Sequence, residues 1–310
     1  MPDIAIRAEN LTCDFATVRA VDNLTVEVPA GIVFGFLGPN GAGKTTTIRL
    51  LLGLLEPSGG RAQALGFDTR TQADEIRLRA GALLEPAGLY ERMSALDNLE
   101  YFGRIWRLSK SKRRARIEEL LTHLGLWERR KEAVGTWSRG MKQKLGVARA
   151  LLHRPPLVFL DEPTAGLDPV AAAALREDLA ALAAREKVTV FLTTHNLAEA
   201  EKLCALVGVI RKGKLVALGP PGQLRARNRG SQVTITGHGF NEQLLAQLFA
   251  RPEVVAANVN DGRLLIDLKD EADVAPLVSL IVNAGGAIEE VNKSRASLEE
   301  VFLTLMQEEQ

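Results

Sequence analysis

The stretch Gly38-Pro-Asn-Gly-Ala-Gly-Lys-Thr45 decides the fold of this sequence. It matches the phosphate-loop pattern G-x-x-x-x-G-K-[ST] in full, and an apolar run at 32–37 precedes it. Isoleucine and leucine residues at 48, 51, 52 and 55 follow it at the spacing of one buried helix face. Because the pattern requires a strand before it and a helix after it, we predict a phosphate-binding loop between a buried strand and a helix.

The residue types of this loop suit a nucleoside triphosphate. Glycines at 41 and 43 let backbone N–H groups turn toward phosphate oxygens, and the helix N-terminus adds partial positive charge. We expect Lys44 to reach the β- and γ-phosphates and the Thr45 hydroxyl to ligate Mg²⁺. The predicted phosphate-binding residues are Gly38, Pro39, Asn40, Gly41, Ala42, Gly43, Lys44, Thr45 and Thr46.

A second apolar run, at 157–160, ends in the two carboxylates Asp161 and Glu162. Strands of a parallel sheet deliver their last side chains to the edge where the phosphate loop lies. We expect Asp161 to hold Mg²⁺, directly or through water, and Glu162 to orient and polarise the attacking water. Adjacent strand residues point to opposite sides, so two carboxylates in sequence can take two roles. The alternative is a solvated strand end.

Length and charge limit the class of protein. The 310 residues allow about two domains, and 46% hydrophobic residues suffice for packed cores. The net charge of +1 excludes a generic polyanion binder that works by bulk charge. From residue 231 onward, five basic and thirteen acidic residues argue against nucleic-acid binding. No apolar run reaches the length that a membrane span needs, so we expect none.

The composition changes near residue 222, where we place a domain boundary. We predict an α/β domain over 1–222, a linker over 223–230 and an accessory α+β domain over 231–310. The first domain has antiparallel strands near its start, a helical subdomain at about 86–150, and buried strands at 157–160 and 188–192. The second has the order βαββαβ, which is ferredoxin-like, followed by a helix at 297–306.

Two further stretches carry a family resemblance. Ser138-Arg-Gly-Met-Lys-Gln143 precedes Asp161-Glu-Pro-Thr-Ala-Gly-Leu-Asp-Pro169. Together with the phosphate loop, they resemble the ATP-binding-cassette (ABC) ATPases, over about residues 4–220. The resemblance implies a P-loop NTPase cassette with a mixed sheet core, an antiparallel β subdomain and a helical subdomain. It also implies ATP and Mg²⁺ as cofactors.

The resemblance assigns expected roles to single residues. Ser138 and Gly140 would contact the γ-phosphate of an ATP bound to the opposite subunit. The site would then be completed by a second copy of this chain or by a homologous cassette. His195 stands at the family's switch histidine, where it would hydrogen-bond the γ-phosphate and the attacking water; otherwise it is a surface or capping residue. Phe15 stands where an aromatic ring stacks on adenine, with a core aromatic as the alternative. The expected catalytic residues are Lys44, Glu162 and His195.

One departure from the family concerns the loop before the helical subdomain. The family places a glutamine there, whereas this sequence has Glu85 in Gly81-Ala-Leu-Leu-Glu-Pro. A glutamate can still ligate Mg²⁺ through oxygen, but it adds a negative charge near the phosphates. We expect Glu85 to belong to the metal shell.

Partners are implied by the resemblance as well. In the transporter branch, the region that matches 86–107 receives a short helix of a membrane permease, although a core helix explains its apolar spacing equally well. The basic run at 110–116 could face anionic lipid or be a solvated helix face. The segment Ser297-Leu-Glu-Glu-Val-Phe302 resembles the tails of ABC-2 type drug, antibiotic and sodium exporters.

These features predict the ATP-hydrolysing subunit of a membrane exporter, held at the cytoplasmic face of the cell membrane by its permease. An ABC ATPase of DNA repair or translation is the alternative. The single cassette and the lack of a long coiled-coil insertion disfavour it. A P-loop kinase or GTPase is disfavoured by the serine-glycine signature and by the pair Asp161-Glu162. The transported substrate is not encoded in any motif.

Overall fold

The computed structural model describes residues 3–227, 231–260, 262–269, 272–295 and 302. The chain divides into two compact units, Met1–Pro220 and Pro221–Gln310, and each has its own hydrophobic core. Within the described ranges, no helix has the length and apolar character needed to cross a bilayer. The helix expected at 297–306 lies outside the described residues, apart from residue 302.

A six-stranded sheet forms the centre of the first unit. Its strands are β3 Val33–Leu37, β6 Ala80–Leu83, β7 Leu157–Asp161, β8 Thr189–Thr194, β9 Leu206–Arg211 and β10 Lys214–Gly219. The order is β10-β9-β3-β8-β7-β6, with every pair parallel except β10 and β9. The predicted mixed sheet is confirmed, and the ends of β3, β8 and β7 lie side by side.

An antiparallel sheet packs in the same core. It contains β1 Ile4–Phe15, β2 Val18–Pro29, β4 Gly59–Ala64 and β5 Phe67–Asp68, in the order β2-β1-β4-β5. Leu24, Val26 and Val28 of β2 are buried and alternate with exposed residues, as the sequence pattern predicted. One apolar cluster joins both sheets, with Leu11 from the second and Phe34 from the first.

Helices connect the strands of the first unit. They are α1 Lys44–Leu51, α2 Ala73–Arg79, α3 Ala95–Ile105, α4 Lys110–His123, α5 Arg139–Leu151, α6 Pro169–Glu186 and α7 Leu197–Leu203. Ser94, Ser138 and Asp168 cap α3, α5 and α6 by accepting a backbone N–H. Between β6 and β7 the chain is mostly helical, as predicted, and it includes a 3₁₀ turn at Val134–Thr136.

The second unit has a ferredoxin-like topology. Its elements are α8 Pro221–Arg227, β11 Ser231–His238, α9 Glu242–Phe249, β12 Val254–Asn260, β13 Arg263–Leu268, α10 Ala275–Asn283 and β14 Ala287–Arg295. The strands form an antiparallel sheet in the order β12-β13-β11-β14. Leu248 of α9 and Ile281 of α10 are buried against Ile235 and Ile266 of this sheet.

The loop-like linker expected at 223–230 is wrong over its first half. Residues 223–227 belong to α8, and residues 228–230 lie outside the described ranges. Pro221 begins the helix, where a missing N–H leaves no hydrogen bond unmade. Gln223, Leu224, Arg225 and Ala226 are all good helix formers, and their propensity outweighs the loop signal of the neighbouring glycines and prolines.

Candidate functional site

The phosphate loop, residues 38–43, joins the end of β3 to the start of α1. Gly41 and Gly43 have φ angles of +79° and +106°, a region that glycine adopts without strain. A Cβ on Gly43 would lie only 2.3 Å from the carbonyl oxygen of Ala20, so no larger residue fits against β2 at this point. The structure thus places residues 38–46 in one turn at a helix N-terminus, where backbone N–H groups can bind an anion.

Lys44 is the first residue of α1, and only 5% of it is exposed. Its Nζ donates to the carbonyl oxygens of Gly38 at 2.7 Å and Pro39 at 3.1 Å. It also lies 3.0 Å from Oε1 of Glu162. A buried ammonium group needs such partners. Phosphate oxygens can replace the carboxylate as the anionic partner of this group.

Two hydroxyl groups fix the carboxylate of Asp161 at the end of β7. Thr45 Oγ1 donates to Oδ2 at 2.7 Å, and Thr193 Oγ1 donates to Oδ1 at 2.6 Å. Thr193 lies on the adjacent strand β8, and Asp161 is only 8% exposed. The parallel pairing of the two strands therefore aims one carboxylate at the first turn of α1. The sequence pattern does not predict the contribution of Thr193, because a single hydroxyl–carboxylate contact between residues 32 positions apart leaves no local signal.

Glu162 leaves β7 with a φ angle of +46°, and its backbone N–H donates to the carbonyl oxygen of Thr193 at 3.1 Å. Its Oε1 faces Lys44, and its Oε2 lies 2.9 Å from Nδ1 of His195. Burial raises the pKa of Glu162, but the hydrogen bonds and charges of Lys44 and His195 outweigh burial and hold it below its usual value. The carboxylate is therefore ionised at neutral pH and can accept a proton from water.

An open cavity of about 440 Å³ lies over the phosphate loop. Its wall includes Asp161, Glu162 and Glu85, together with Val18 and Ala20 of β2. Val18 is 61% exposed and offers an apolar surface on which a base or ribose can pack. No sequence pattern marks Val18 as a cavity residue, although it lies three residues after Phe15.

Phe15 ends β1 and pairs with Val18 across the hairpin to β2. Its ring is not a core aromatic, because 45% of the residue is exposed. The core alternative for Phe15 is therefore wrong. The exposed ring and the cavity-lining Val18 lie on the same hairpin, which leaves stacking on adenine as the remaining prediction for Phe15.

The signature residues Ser138 and Gly140 lie at the start of α5. Ser138 is exposed, and its Oγ accepts the N–H of Met141 at 3.3 Å as the cap of α5. Gly140 lies in the first turn of the same helix. Among the described residues, no hydrogen bond joins Ser138 to the loop at 38–43. This placement fits residues that act on a nucleotide held elsewhere.

Arg139 begins α5 and contacts two loops, one that carries Glu85 and one that carries Gly166. Its guanidinium Nη2 lies 3.4 Å from Oε1 of Glu85. It also covers Gly166, where a Cβ would lie 2.4 Å from Nη1. The side chains of Arg139 and Glu85 are 53% and 78% exposed, so this ion pair is weak. Arg139 neutralises part of the negative charge that Glu85 adds to the cavity wall.

The oxygen atoms around Thr45 and Asp161 fit a magnesium ion. Mg²⁺ binds through one or two carboxylates plus substrate phosphates and keeps several waters. A hydroxyl and a carboxylate oxygen, 2.7 Å apart, form such a set at the phosphate loop. In the described ranges, no three His, Cys, Asp or Glu side chains converge to hold a metal by themselves. The chain would therefore supply few ligands, and a bound triphosphate would supply others.

The region 86–107 divides between core and surface. Leu99 is fully buried, and Trp106 stacks on His153 with 3.7 Å between the ring centroids. Tyr90, Tyr101 and Ile105 are exposed. The core interpretation therefore holds for Leu99 and Trp106. Tyr90, Tyr101 and Ile105 leave a patch on the surface of the helical segment, here called the aromatic patch.

Buried arginines interrupt the basic run at 110–116. Arg113 Nε donates to Glu100 at 2.6 Å, and Arg116 pairs with Glu186 at 2.8 Å. The exposed cations of the run are Lys110, Lys112 and Arg114. Part of the run thus holds α4 to its neighbours, and only the remainder forms a solvated face.

Family comparisons match both units. The family described as ABC transporter matches residues 21–165. A second family, described as the C-terminal domain of DrrA1-3-like ATP-binding proteins, matches residues 219–306.

Curated relatives match along almost the whole chain. The bacitracin transport ATP-binding protein BcrA of Bacillus licheniformis is 36% identical over 97% of this chain and 97% of its own length. The daunorubicin resistance ATP-binding protein DrrA3 of Streptomyces coeruleorubidus is 36% identical over 98% of this chain and 96% of its own length. Among solved structures, an ATP-binding subunit of an ABC transporter is 30% identical with a TM-score of 0.64, over 72% of this chain and 93% of that one.

Proposed function

The chain belongs to the ABC transporter family of ATP-binding proteins, and from this premise we propose that it powers a membrane exporter by hydrolysing ATP. One observation supports the catalytic role most directly. Lys44, Glu162 and His195 form a continuous chain of contacts at the edge where Thr45 meets Asp161. An ABC ATPase of DNA repair or translation would use the same five residues, so these contacts support hydrolysis and the relatives support export. The relatives named for bacitracin transport and daunorubicin resistance support export, and none of those reported is named for DNA repair or translation.

The hydrolytic step follows from these contacts. ATP entering the loop at 38–46 displaces Glu162 from Lys44, since the phosphates become the anionic partner of the ammonium group. Glu162 then holds a water in line with the γ-phosphate and takes its proton, while a water oxygen–phosphorus bond forms and the bond to the ADP oxygen breaks. His195 orients Glu162 and donates a hydrogen bond to the γ-phosphate. Thr45 and Asp161 would hold magnesium, which would neutralise phosphate charge.

The site is completed by a second cassette. Ser138 and Gly140 begin α5 as an exposed helix N-terminus that makes no hydrogen bond to the phosphate loop of its own chain in the described ranges. A helix N-terminus attracts an anion, and a serine hydroxyl adds a donor. Two chains, or this chain and a homologous cassette, close head to tail so that each signature contacts the γ-phosphate held by the other.

The exposed aromatic patch of Tyr90, Tyr101 and Ile105 is the permease contact. Tyr90 follows Glu85 after four residues of chain, so movement at the nucleotide can reach the patch through a short segment. The protein is held at the cytoplasmic face of the membrane by this contact. Nucleic acid is not a partner.

The test measures ATP hydrolysis by the full chain, alone and together with a polytopic membrane protein that co-purifies with it. We expect Mg²⁺-dependent release of phosphate that Lys44→Ala abolishes, together with weaker ATP binding, because the variant lacks the ammonium group at the loop. Exposed Lys112→Ala is the matched control and should behave as the wild type. Hydrolysis that persists in Lys44→Ala, or a wild type that binds no ATP, would refute the proposal.

A further inference from the structure

Glu199 is a buried carboxyl group to which the hydrolytic step above gives no role. It lies in the first turn of α7 and is 0% exposed. Its backbone N–H donates to the side-chain oxygen of Asn196 at 3.1 Å, which caps the helix and fixes the position of Glu199. A glutamate is almost never fully buried unless its carboxyl group has partners, so its contacts need a reason.

The carboxyl oxygen Oε2 joins the two chain segments that carry the reacting side chains. It accepts a hydrogen bond from Thr194 Oγ1 at 2.6 Å and one from Thr164 Oγ1 at 3.1 Å. Thr194 directly precedes His195 at the end of β8, and Thr164 lies two residues after Glu162. One oxygen atom therefore ties the backbone beside the histidine to the backbone beside the glutamate.

The other oxygen indicates that stability alone does not explain this residue. Oε1 of Glu199 is buried without a hydrogen-bond partner among the described residues. Burial raises the pKa of Glu199, and the two threonine hydrogen bonds and the charges of Arg176 and His195 offset only part of that effect. A buried polar group left unsatisfied destabilises the fold, and an apolar residue would avoid this penalty. The carboxyl group accepts this penalty at a place where it holds two functional segments together.

We propose that Glu199 is a positioning residue for ATP hydrolysis, which clamps Thr194 and Thr164 so that His195 and Glu162 keep their 2.9 Å contact. The proposal rests on the hydrolytic function proposed above. Glu199 does not touch the nucleotide. It acts through the orientation of His195 and of the loop after β7, and small misplacements of reacting groups have large effects on rate.

The experiment compares four full-length proteins: wild type, Glu199→Ala, Glu199→Gln and the control Glu177→Ala, which removes an exposed glutamate from α6. Turnover is measured per bound nucleotide, so that loss of folded protein does not count as loss of rate. We expect Glu199→Ala to lower kcat by about 10- to 100-fold while ATP affinity changes by less than about threefold. Glu199→Gln should recover most of the rate, since its amide oxygen accepts both hydroxyls.

Coupling to His195 distinguishes positioning from a purely structural role. In a His195→Ala background, Glu199→Ala should reduce kcat by a smaller factor than in the wild type, because one of the two residues it orients is gone. Should Glu199→Ala fail to fold, Thr164→Val and Thr194→Val test the same clamp from the donor side, and each should lower kcat per site.

Full kcat in Glu199→Ala, no recovery in Glu199→Gln, or additive effects with His195→Ala would overturn the positioning role alone. A wild type without any turnover would overturn the proposed function itself.

Discussion

Replacing Glu162 by glutamine should separate nucleotide binding from hydrolysis. The substitution keeps the shape of the side chain but removes the negative charge 3.0 Å from Lys44 Nζ. Two unit charges at that distance interact by about 5.5 kcal/mol at an effective dielectric constant near 20. Lys44 keeps two carbonyl partners, and the side chain of Glu162 is 23% exposed, so the net change is on the order of 1 kcal/mol.

The released ammonium group should bind phosphate more readily, so we expect ATP affinity to stay equal or to rise by roughly fivefold. Turnover should fall by about 10²- to 10⁴-fold, because an amide cannot take the proton of the attacking water. Nucleotide titration and single-turnover phosphate release measure the two effects separately, with Glu177→Gln as the matched control. Turnover within about threefold of the wild type would refute the role of Glu162 as the base.

Three further predictions concern the ion pairs and the buried histidine. Arg116→Leu leaves Glu186 buried with weaker partners, since the pair is only 4% and 7% exposed, and should lower the free energy of unfolding by about 3–5 kcal/mol. Replacing the exposed Arg129 by alanine should lower the free energy of unfolding by at most about 1 kcal/mol. Equal shifts of the urea midpoint in the two variants would contradict this difference between a buried and an exposed ion pair. Burial lowers the pKa of His153 to about 4, so the unfolded chain takes up the proton first as pH falls from about 6.5. The wild type should lose up to about 3 kcal/mol of stability between pH 6.5 and 4 from this group. The variant His153→Phe, which keeps a ring against the indole of Trp106, should lose less. If the free energy of unfolding falls with pH equally in both proteins, His153 is not the group responsible. Glu85→Gln should change the free energy of unfolding by less than about 1 kcal/mol. It should strengthen ATP binding relative to the wild type, and more at low salt than at high salt; the same ratio of affinities at both salt concentrations would show that the charge of Glu85 does not reach the phosphates.

Local sequence patterns were sufficient for the elements that border the site. The glycines of the loop, the apolar strand before it and the amphipathic helix after it all follow from short-range sterics and periodicity. For the same reason the pair Asp161-Glu162 could be placed at a strand end. The local pattern did not predict α8, because residues 221–227 contain turn formers and helix formers together. The structure shows that the helix formers prevail.

Long-range contacts were beyond prediction. Val18 lies in the cavity wall because the hairpin of β1 and β2 folds toward the phosphate loop, and Thr193 holds Asp161 because β8 pairs with β7. The direction of the hairpin and the pairing of β7 with β8 both depend on contacts between distant parts of the chain, which no local sequence pattern encodes. The same holds for Arg116, which a basic run marks as a solvated residue and which the structure buries against Glu186, 70 positions away.

The sequence by itself determined which residue types this protein brings to a phosphate, because a loop that binds an anion needs glycine, lysine and a helix N-terminus in consecutive positions. Only the tertiary structure decided which partners those residues meet. The order of strands in the sheet sets Lys44, Glu162 and His195 in contact and buries Glu199 between the segments behind them. Hydrogen bonds and charges act over a few ångströms, and strand order, rather than distance along the chain, brings these groups within that range.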